Sequence, residues 1–254
     1  VNIKVLGFNG SIGSDRHTTS LLIDDDILID AGTGVCRLSL DEILRIRHIF
    51  LTHSHLDHLT GIPLMIDSVF SQIKTPVLIH GRRETLAALQ DHIFNWQIWP
   101  DFSVLPRFDH PVMRFEELTP GDSLTIGGRT IHAIPVNHVV PAVGYRVEAD
   151  GGVFAFSGDT STNDTFWDEL NRFDRLDVLV VEAAFCDRDL EISRKSGHYC
   201  PQLLAADLPK LRHRPRVYLT HPKPGAEDMI LGECQAQIAD FEIANLTGDE
   251  IFRF

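Results

Sequence analysis

The chain has 254 residues and a net charge of −13, with 43% hydrophobic and 23% charged residues. It is long enough to bury a sizeable core, and its balance is that of an ordinary globular protein. No apolar run reaches the roughly 20 residues of a membrane-spanning helix, and no Lys/Arg cluster offsets the acidic excess, which argues against a partner as long and anionic as a nucleic acid.

Residues 3–9 (IKVLGFN) read as a strand, followed by the Gly/Ser-rich loop GSIGSDRHTTS. The apolar runs TSLLID and DILID meet at the acidic turn Asp24–Asp26 and predict a hairpin. Asp30-Ala31-Gly32-Thr33-Gly34 ends the second strand, and its glycines permit a close chain approach. Residues 39–46 predict a short helix with Ser39 as N-cap. It leads into a buried strand, HIFLT, and then into Thr52–Pro63, THSHLDHLTGIP. His53, His55, Asp57 and His58 crowd into this strand-to-helix turn. Imidazole and carboxylate groups suit zinc, manganese or iron. Four of them at the end of a buried strand need a charge to offset their desolvation.

A helix over about 59–73, a strand over 77–81 and a helix over 82–94 continue a β-α-β-α rhythm, which implies layered α/β structure. Residues 95–113 break it with two Trp, two Phe and three Pro. They predict an irregular aromatic excursion near the mouth of the site, either a wall for an apolar group or a satellite core under a loop. The second half repeats the first in outline, with strands at MRFEEL, SLTIGG, RTIHAIPV, VGYRVEA and GVFAFSGD. His138 and Asp159 each fall where an apolar strand runs out, as His53 does. A helix over 164–172 precedes the strand VLVVEAAF; Pro201 then suits the first turn of another helix, which Pro209 kinks or ends. RVYLTHP reads as a strand ending in His221. A helix near 226–240 and a closing hairpin, FEIANL with EIFRF across Thr247–Asp249, complete the chain. With no linker and no low-complexity stretch, residues 1–254 read as one domain, an αββα sandwich of two mixed sheets with helices outside. Cys36, Cys186, Cys200 and Cys234 form no Cys-x-x-Cys pair and read as mostly buried apolar residues of a reducing compartment. The start, VNIKVLGFNGS, reads as a strand rather than a signal peptide, so the expected location is the cytoplasm, with the periplasm left open should a signal have been removed.

The run His-Ser-His-Leu-Asp-His resembles the metallo-β-lactamase superfamily signature His-x-His-x-Asp-His. With Leu56, Gly61, Ile62 and the DAGTG turn it looks, more narrowly, like the class II 3′,5′-cyclic-nucleotide phosphodiesterases. The resemblance covers nearly the whole chain. It implies that superfamily's four-layer sandwich and two divalent ions, zinc foremost, with manganese or iron as alternatives. It implies His53, His55 and His138 on one ion, Asp57, His58 and His221 on the other, and Asp159 bridging. Glu182-Ala183 and Gly197-His198 resemble the acid and histidine of phosphodiesterase branches, the tRNA 3′-end-processing endonucleases included. His198 would then protonate a leaving oxygen while Glu182 fixes its tautomer, and Asp57 counts with them as catalytic. The implied activity is hydrolysis of a 3′,5′-cyclic nucleotide, cAMP foremost, to the 5′-monophosphate. The alternatives are tRNA 3′-end processing and hydrolysis of a thioester or lactone. Tyr199-Cys200 after His198 and Pro222-Lys223-Pro224 after His221 depart from the family pattern. Arg16, His17, Thr18, Thr19 and Lys223 are candidates for substrate contact. The expected partner is a small phosphodiester rather than a long nucleic acid or a membrane, and a homodimer remains open.

Overall fold

The computed structural model describes residues 1–254. The first half of the chain forms β1 (Asn2–Gly7), β2 (Ser20–Ile23), β3 (Ile27–Ile29), α1 (Leu40–Arg45), β4 (His48–Phe50), α2 (Leu56–Leu59), α3 (Gly61–Val69), β5 (Val77–Gly81) and α4 (Arg83–His92). The two-residue strands β6 (Pro106–Arg107) and β7 (His110–Pro111) and then β8 (Met113–Glu117) follow. The second half forms β9 (Ser123–Ile126), β10 (Arg129–Val136), β11 (Ala142–Ala149), β12 (Gly152–Phe156), α5 (Thr165–Leu170), β13 (Val178–Glu182) and α6 (Leu190–Ser196). It ends with α7 (Pro201–Asp207), β14 (Arg216–Thr220), α8 (Glu227–Gln237), β15 (Ile243–Asn245) and β16 (Ile251–Arg253).

Two seven-stranded sheets share one plan, ordered β16-β1-β2-β3-β4-β5-β8 and β15-β14-β13-β12-β11-β10-β9, the first half supplying all of the first but β16. An antiparallel meander gives way to parallel strands, at β3 in the first sheet and β12 in the second. The sequence explains the change. Parallel strands are covered on both faces and so read as continuous apolar runs, and Ile27–Ile29 and Val178–Glu182 are buried at every position. Val5, Phe50, Val143, Tyr145 and Phe154 pack between the sheets. Ile62, Met65, Leu86 and Leu89 on α3 and α4 cover the outside of the first sheet. Phe166, Trp167, Leu204 and Ile230 on α5, α7 and α8 cover the outside of the second. The result is the expected αββα sandwich of two mixed sheets. Ser39 caps α1 in a reciprocal box with Glu42, and no helix is long and apolar enough to cross a membrane.

The closing hairpin does not form. β15 adds parallel to β14, with Ile243 beside Val217, whereas β16 crosses to the other sheet and lies antiparallel to β1, with Phe252 beside Ile3. Each final strand extends one edge of a sheet, and β8 and β9 remain the opposite edges. The chain between them is held in its crossing: Glu250 accepts from the Thr247 and Gly248 N–H groups, while Arg37 bonds Gly248 and Asp249. The helix over 59–73 breaks at Thr60 into α2 and α3 and closes in a 3₁₀ turn at Phe70–Gln72. Pro209 lies in the 3₁₀ turn that ends α7, as its missing N–H requires. α6 was not anticipated, because its only buried residue is Ser193 and it has no apolar stripe to read. In the aromatic excursion Phe102 packs on Phe70 and Phe94 in the core outside the first sheet, while Trp96 and Phe108 are exposed. It is a satellite of that core; its buried rings do not line the histidine cluster.

Candidate metal centre

The candidate ligands lie just past the carboxyl ends of strands: His53 after β4, His138 after β10, Asp159 after β12 and His221 directly after β14. Strands that share a direction bring these ends to one edge of the sandwich, where open α/β sheets generally bind ligands. His55 caps α2, and Asp57 and His58 occupy its first turn. His221 has φ +62 and Asp30 φ +54, left-handed conformations that few non-glycine residues adopt. Gly32 runs so close beneath α2 that a Cβ there would collide with the Asp57 carbonyl oxygen.

Two groups form. His53, His55, His138 and Asp159 make one; Asp57, His58, Asp159 and His221 make the other, with the donor atoms of each within 4.8 Å of one another. Asp159 belongs to both: its Oδ2 is 3.6 Å from His53 Nε2 and 3.4 Å from His58 Nε2, and its Oδ1 is 3.2 Å from His221 Nδ1. His53 Nε2, His58 Nε2 and His221 Nδ1 are buried with no hydrogen-bond partner. Other ring nitrogens are already committed. His58 Nδ1 lies 2.7 Å from Asp30 Oδ2, and His138 Nδ1 donates to Gly197 O at 2.8 Å. In a neutral ring that leaves a lone pair on Nε2, which in His138 faces His55 Nδ1 at 3.2 Å. Lone pairs aimed at lone pairs around a shared carboxylate are what a cation organises, and the donor set fits a pair of divalent ions.

The electrostatics agree. Burial holds His53 and His221 well below the usual imidazole range and brings His138 down to about 4. His58 moves the other way. Burial still opposes its charge, but Asp159 and Asp30 outweigh it and raise the imidazolium well above its usual range. Asp159, though buried, is held well below the usual carboxylate range by His221 and His58. The centre is built to hold positive charge.

His198 stands beside both groups, its ring stacked on His221 at 5.2 Å and edge-on to His138 at 5.0 Å. Its Nδ1 lies 2.7 Å from Glu182 Oε1. Glu182 ends β13 fully buried and also accepts from the N–H groups of Thr160, Ala184 and Tyr199. Burial pushes the Glu182 carboxyl up against the pull of His198. Burial lowers His198 in turn, but Glu182 outweighs it, so that imidazolium is also raised.

One residue of the centre escaped the sequence reading. Asp30 is fully buried and accepts from the Thr52 N–H and hydroxyl, each at 2.8 Å, as well as facing His58. The available signal was a carboxylate at the end of an apolar strand, the same pattern that exposed Asp159. The candidate substrate residues fare differently. Arg16 pairs with Glu227 at 3.0 Å, and Thr18, which like Thr19 is buried, exchanges two 2.8 Å hydrogen bonds with Thr33. His17 borders a niche of about 30 Å³ beside Asn9. Lys223 Nζ donates to Gly10 O at 3.1 Å and lies 5.8 Å from the Phe185 ring, which in turn stands edge-on to His198. None of the five belongs to the two histidine groups.

A two-sheet sandwich with such a cluster at one edge defines a metal-dependent hydrolase. Residues 25–221 match the beta-lactamase superfamily domain, and the chain belongs to the metallo-β-lactamase superfamily. It is 28% identical to a probable 3′,5′-cyclic-nucleotide phosphodiesterase of Yersinia pestis over 253 residues, covering 82% of this chain and 71% of that protein. It is 29% identical to a ribonuclease Z of Methanopyrus kandleri over 153 residues, covering 58% of this chain and 50% of that one. The fold matches the crystal structure of unliganded yeast PDE1 with a TM-score of 0.83 at 20% identity, covering 99% of both chains.

Proposed function

We propose that this hydrolase opens a 3′,5′-cyclic nucleotide, cAMP foremost, to the nucleoside 5′-monophosphate. His53, His55 and His138 would hold one divalent ion, Asp57, His58 and His221 the other, with Asp159 shared; zinc is the first candidate, manganese and iron the others. When bound, such a pair lowers the pKa of a water between them and neutralises charge on the phosphoryl oxygens.

The observation that carries the reading is the His198–Glu182 pair wedged against both groups. A thioester or lactone hydrolase has no need of a second, metal-free histidine there. A phosphodiesterase does: the departing 3′-oxygen needs a proton. Glu182 accepts from Nδ1–H and so turns Nε2 toward the centre. The imidazolium then donates from Nε2 to the leaving oxygen, and Glu182 steadies the charge His198 carries beforehand. Asp57, only half-buried, is the carboxylate of the centre nearest solvent and can hold the attacking water in line. The similarity to both cyclic-nucleotide phosphodiesterases and ribonucleases Z supports phosphodiester chemistry in common. The net charge of −13 favours the small substrate over tRNA.

The test is product analysis. Metal-loaded protein is incubated with cAMP, cGMP, a 2′,3′-cyclic nucleotide and a precursor tRNA, beside Asp57→Ala. The expected product is a 5′-monophosphate from cAMP or cGMP that the variant does not make. Cleavage of the tRNA with the cyclic nucleotides intact would replace this reading with tRNA 3′-end processing.

A further inference from the structure

Behind the metal centre a cleft of about 350 Å³ opens between the end of β1 and β15, lined among others by Phe8, Asn9, Arg16, Pro222, Glu227 and Asn245. No candidate ligand lines it, yet Pro222 is the residue after His221. The two walls are stitched together: His221 N–H donates to Phe8 O at 2.6 Å, and Gly10 N–H to Pro222 O at 3.2 Å. A Cβ at Gly10 would meet the His221 ring at 2.8 Å, so the chain that follows Asn9 also borders the centre.

Asn9 is the unexplained group there. It is 3% exposed, and its backbone N–H donates to His17 O, but its carboxamide bonds to no protein atom. The other asparagines near it in burial all spend theirs: Asn163 on Thr160, Ser161 and Phe166, Asn171 on Lys210 and Arg212, Asn245 on Glu227. Asn9 lines both this cleft and the niche of about 30 Å³ that His17 borders, so its amide has open space rather than a protein partner beside it. A carboxamide offers an acceptor beside a donor, the complement of a purine's hydrogen-bonding edge. Phe8 and Pro222 supply flat apolar surface for the ring, and the Arg16–Glu227 pair supplies a polar lip.

We propose that this cleft is the base subsite: it takes a purine whose edge Asn9 reads while the phosphodiester lies at the metal centre. The inference rests on the cyclic-nucleotide reading above. The test compares Asn9→Ala with the wild-type full chain, metal-loaded, on cAMP and on bis(p-nitrophenyl) phosphate, a diester with no base. The kcat/KM ratio of the first substrate to the second is expected to fall about tenfold, carried by a higher KM for cAMP; an unchanged ratio overturns the subsite. Asn9→Asp keeps the shape but replaces the donor with an acceptor, and is expected to shift preference from cAMP toward cGMP, whose guanine offers two adjacent N–H groups; an unmoved preference counts against the subsite. If wild type cleaves the baseless diester but no cyclic nucleotide, the functional reading has failed and the cleft is judged separately by calorimetric titration with adenosine and guanosine. Binding that Asn9→Ala loses then supports it, and no binding by wild type overturns it.

Discussion

Asp30 does for His58 what no neighbour in the turn could do. Its carboxylate fixes one ring nitrogen at 2.7 Å and leaves the other bare toward the centre. Such supporting carboxylates set ligand orientation and basicity. Asp30→Asn is therefore expected to weaken divalent-metal affinity by roughly 10- to 100-fold, read by titration against a chelating dye; affinity within twofold of wild type would show that Asp30 only supports the fold. Glu182→Gln keeps the shape of the pair and removes its charge. On the phosphodiesterase reading its kcat is expected to drop about 100-fold with metal content unchanged, and an equal loss of metal would assign Glu182 to the ligand set instead. At this scale the candidate ligands were legible because His53, His55, Asp57 and His58 are local in sequence, and His138, Asp159 and His221 each end an apolar strand. Asp30 ends an apolar strand as well, but its role was hidden, because its partner His58 stands 28 positions away and only the fold joins them. Asn9 was hidden for a related reason: burial, not residue type, makes its amide unusual.

Elements were legible where one period held over enough residues. The strands from β10 to β14 and the capped α1 are of that kind. The final strands show what local pattern omits. A turn-like Thr247-Gly248-Asp249 between apolar runs looks the same whether the runs pair with each other or close the edges of two different sheets. Phe252 on β16 is 4% exposed and packs on Phe154 and Tyr218. Phe252→Ala is expected to cost about 3 kcal/mol in urea unfolding, through the cavity it leaves. A cost under about 0.5 kcal/mol, the scale of surface substitutions, would mean that β16 is not fixed to β1. Between β4 and β5, His48 Nδ1 and His80 Nε2 lie 3.0 Å apart, and the His80 ring stacks on Phe50. Burial, then His48, brings His80 down to about 4. An unfolded histidine titrates near 6.5, so the unfolded state binds more protons between those values. Stability is then highest above pH 6.5 and is lost as the pH falls toward 4. His80→Leu is expected to lose less stability than wild type between pH 7 and pH 5 in parallel urea titrations; equal losses would contradict the buried, neutral state of this ring.

For the whole molecule, two sheets of one plan bring candidate ligands from both halves together across the sandwich. His53, His55, Asp57 and His58 come from the first half, His138, Asp159 and His221 from the second. The layered class was legible in the alternation of apolar strands and helices. The meeting of the halves came from the family resemblance rather than from local pattern, because it depends on packing through Phe50, Tyr145 and Phe154 between the sheets. The same arrangement gives the most direct test of the proposed centre, the metal content of the purified protein after loading and removal of free ion. About two ions per chain are expected for wild type, about one for His138→Ala, and fewer than one for Asp159→Ala, which strips the shared carboxylate from both groups. A wild-type chain that retains a single ion, or an Asp159→Ala variant that still holds two, would contradict a centre shared between the halves.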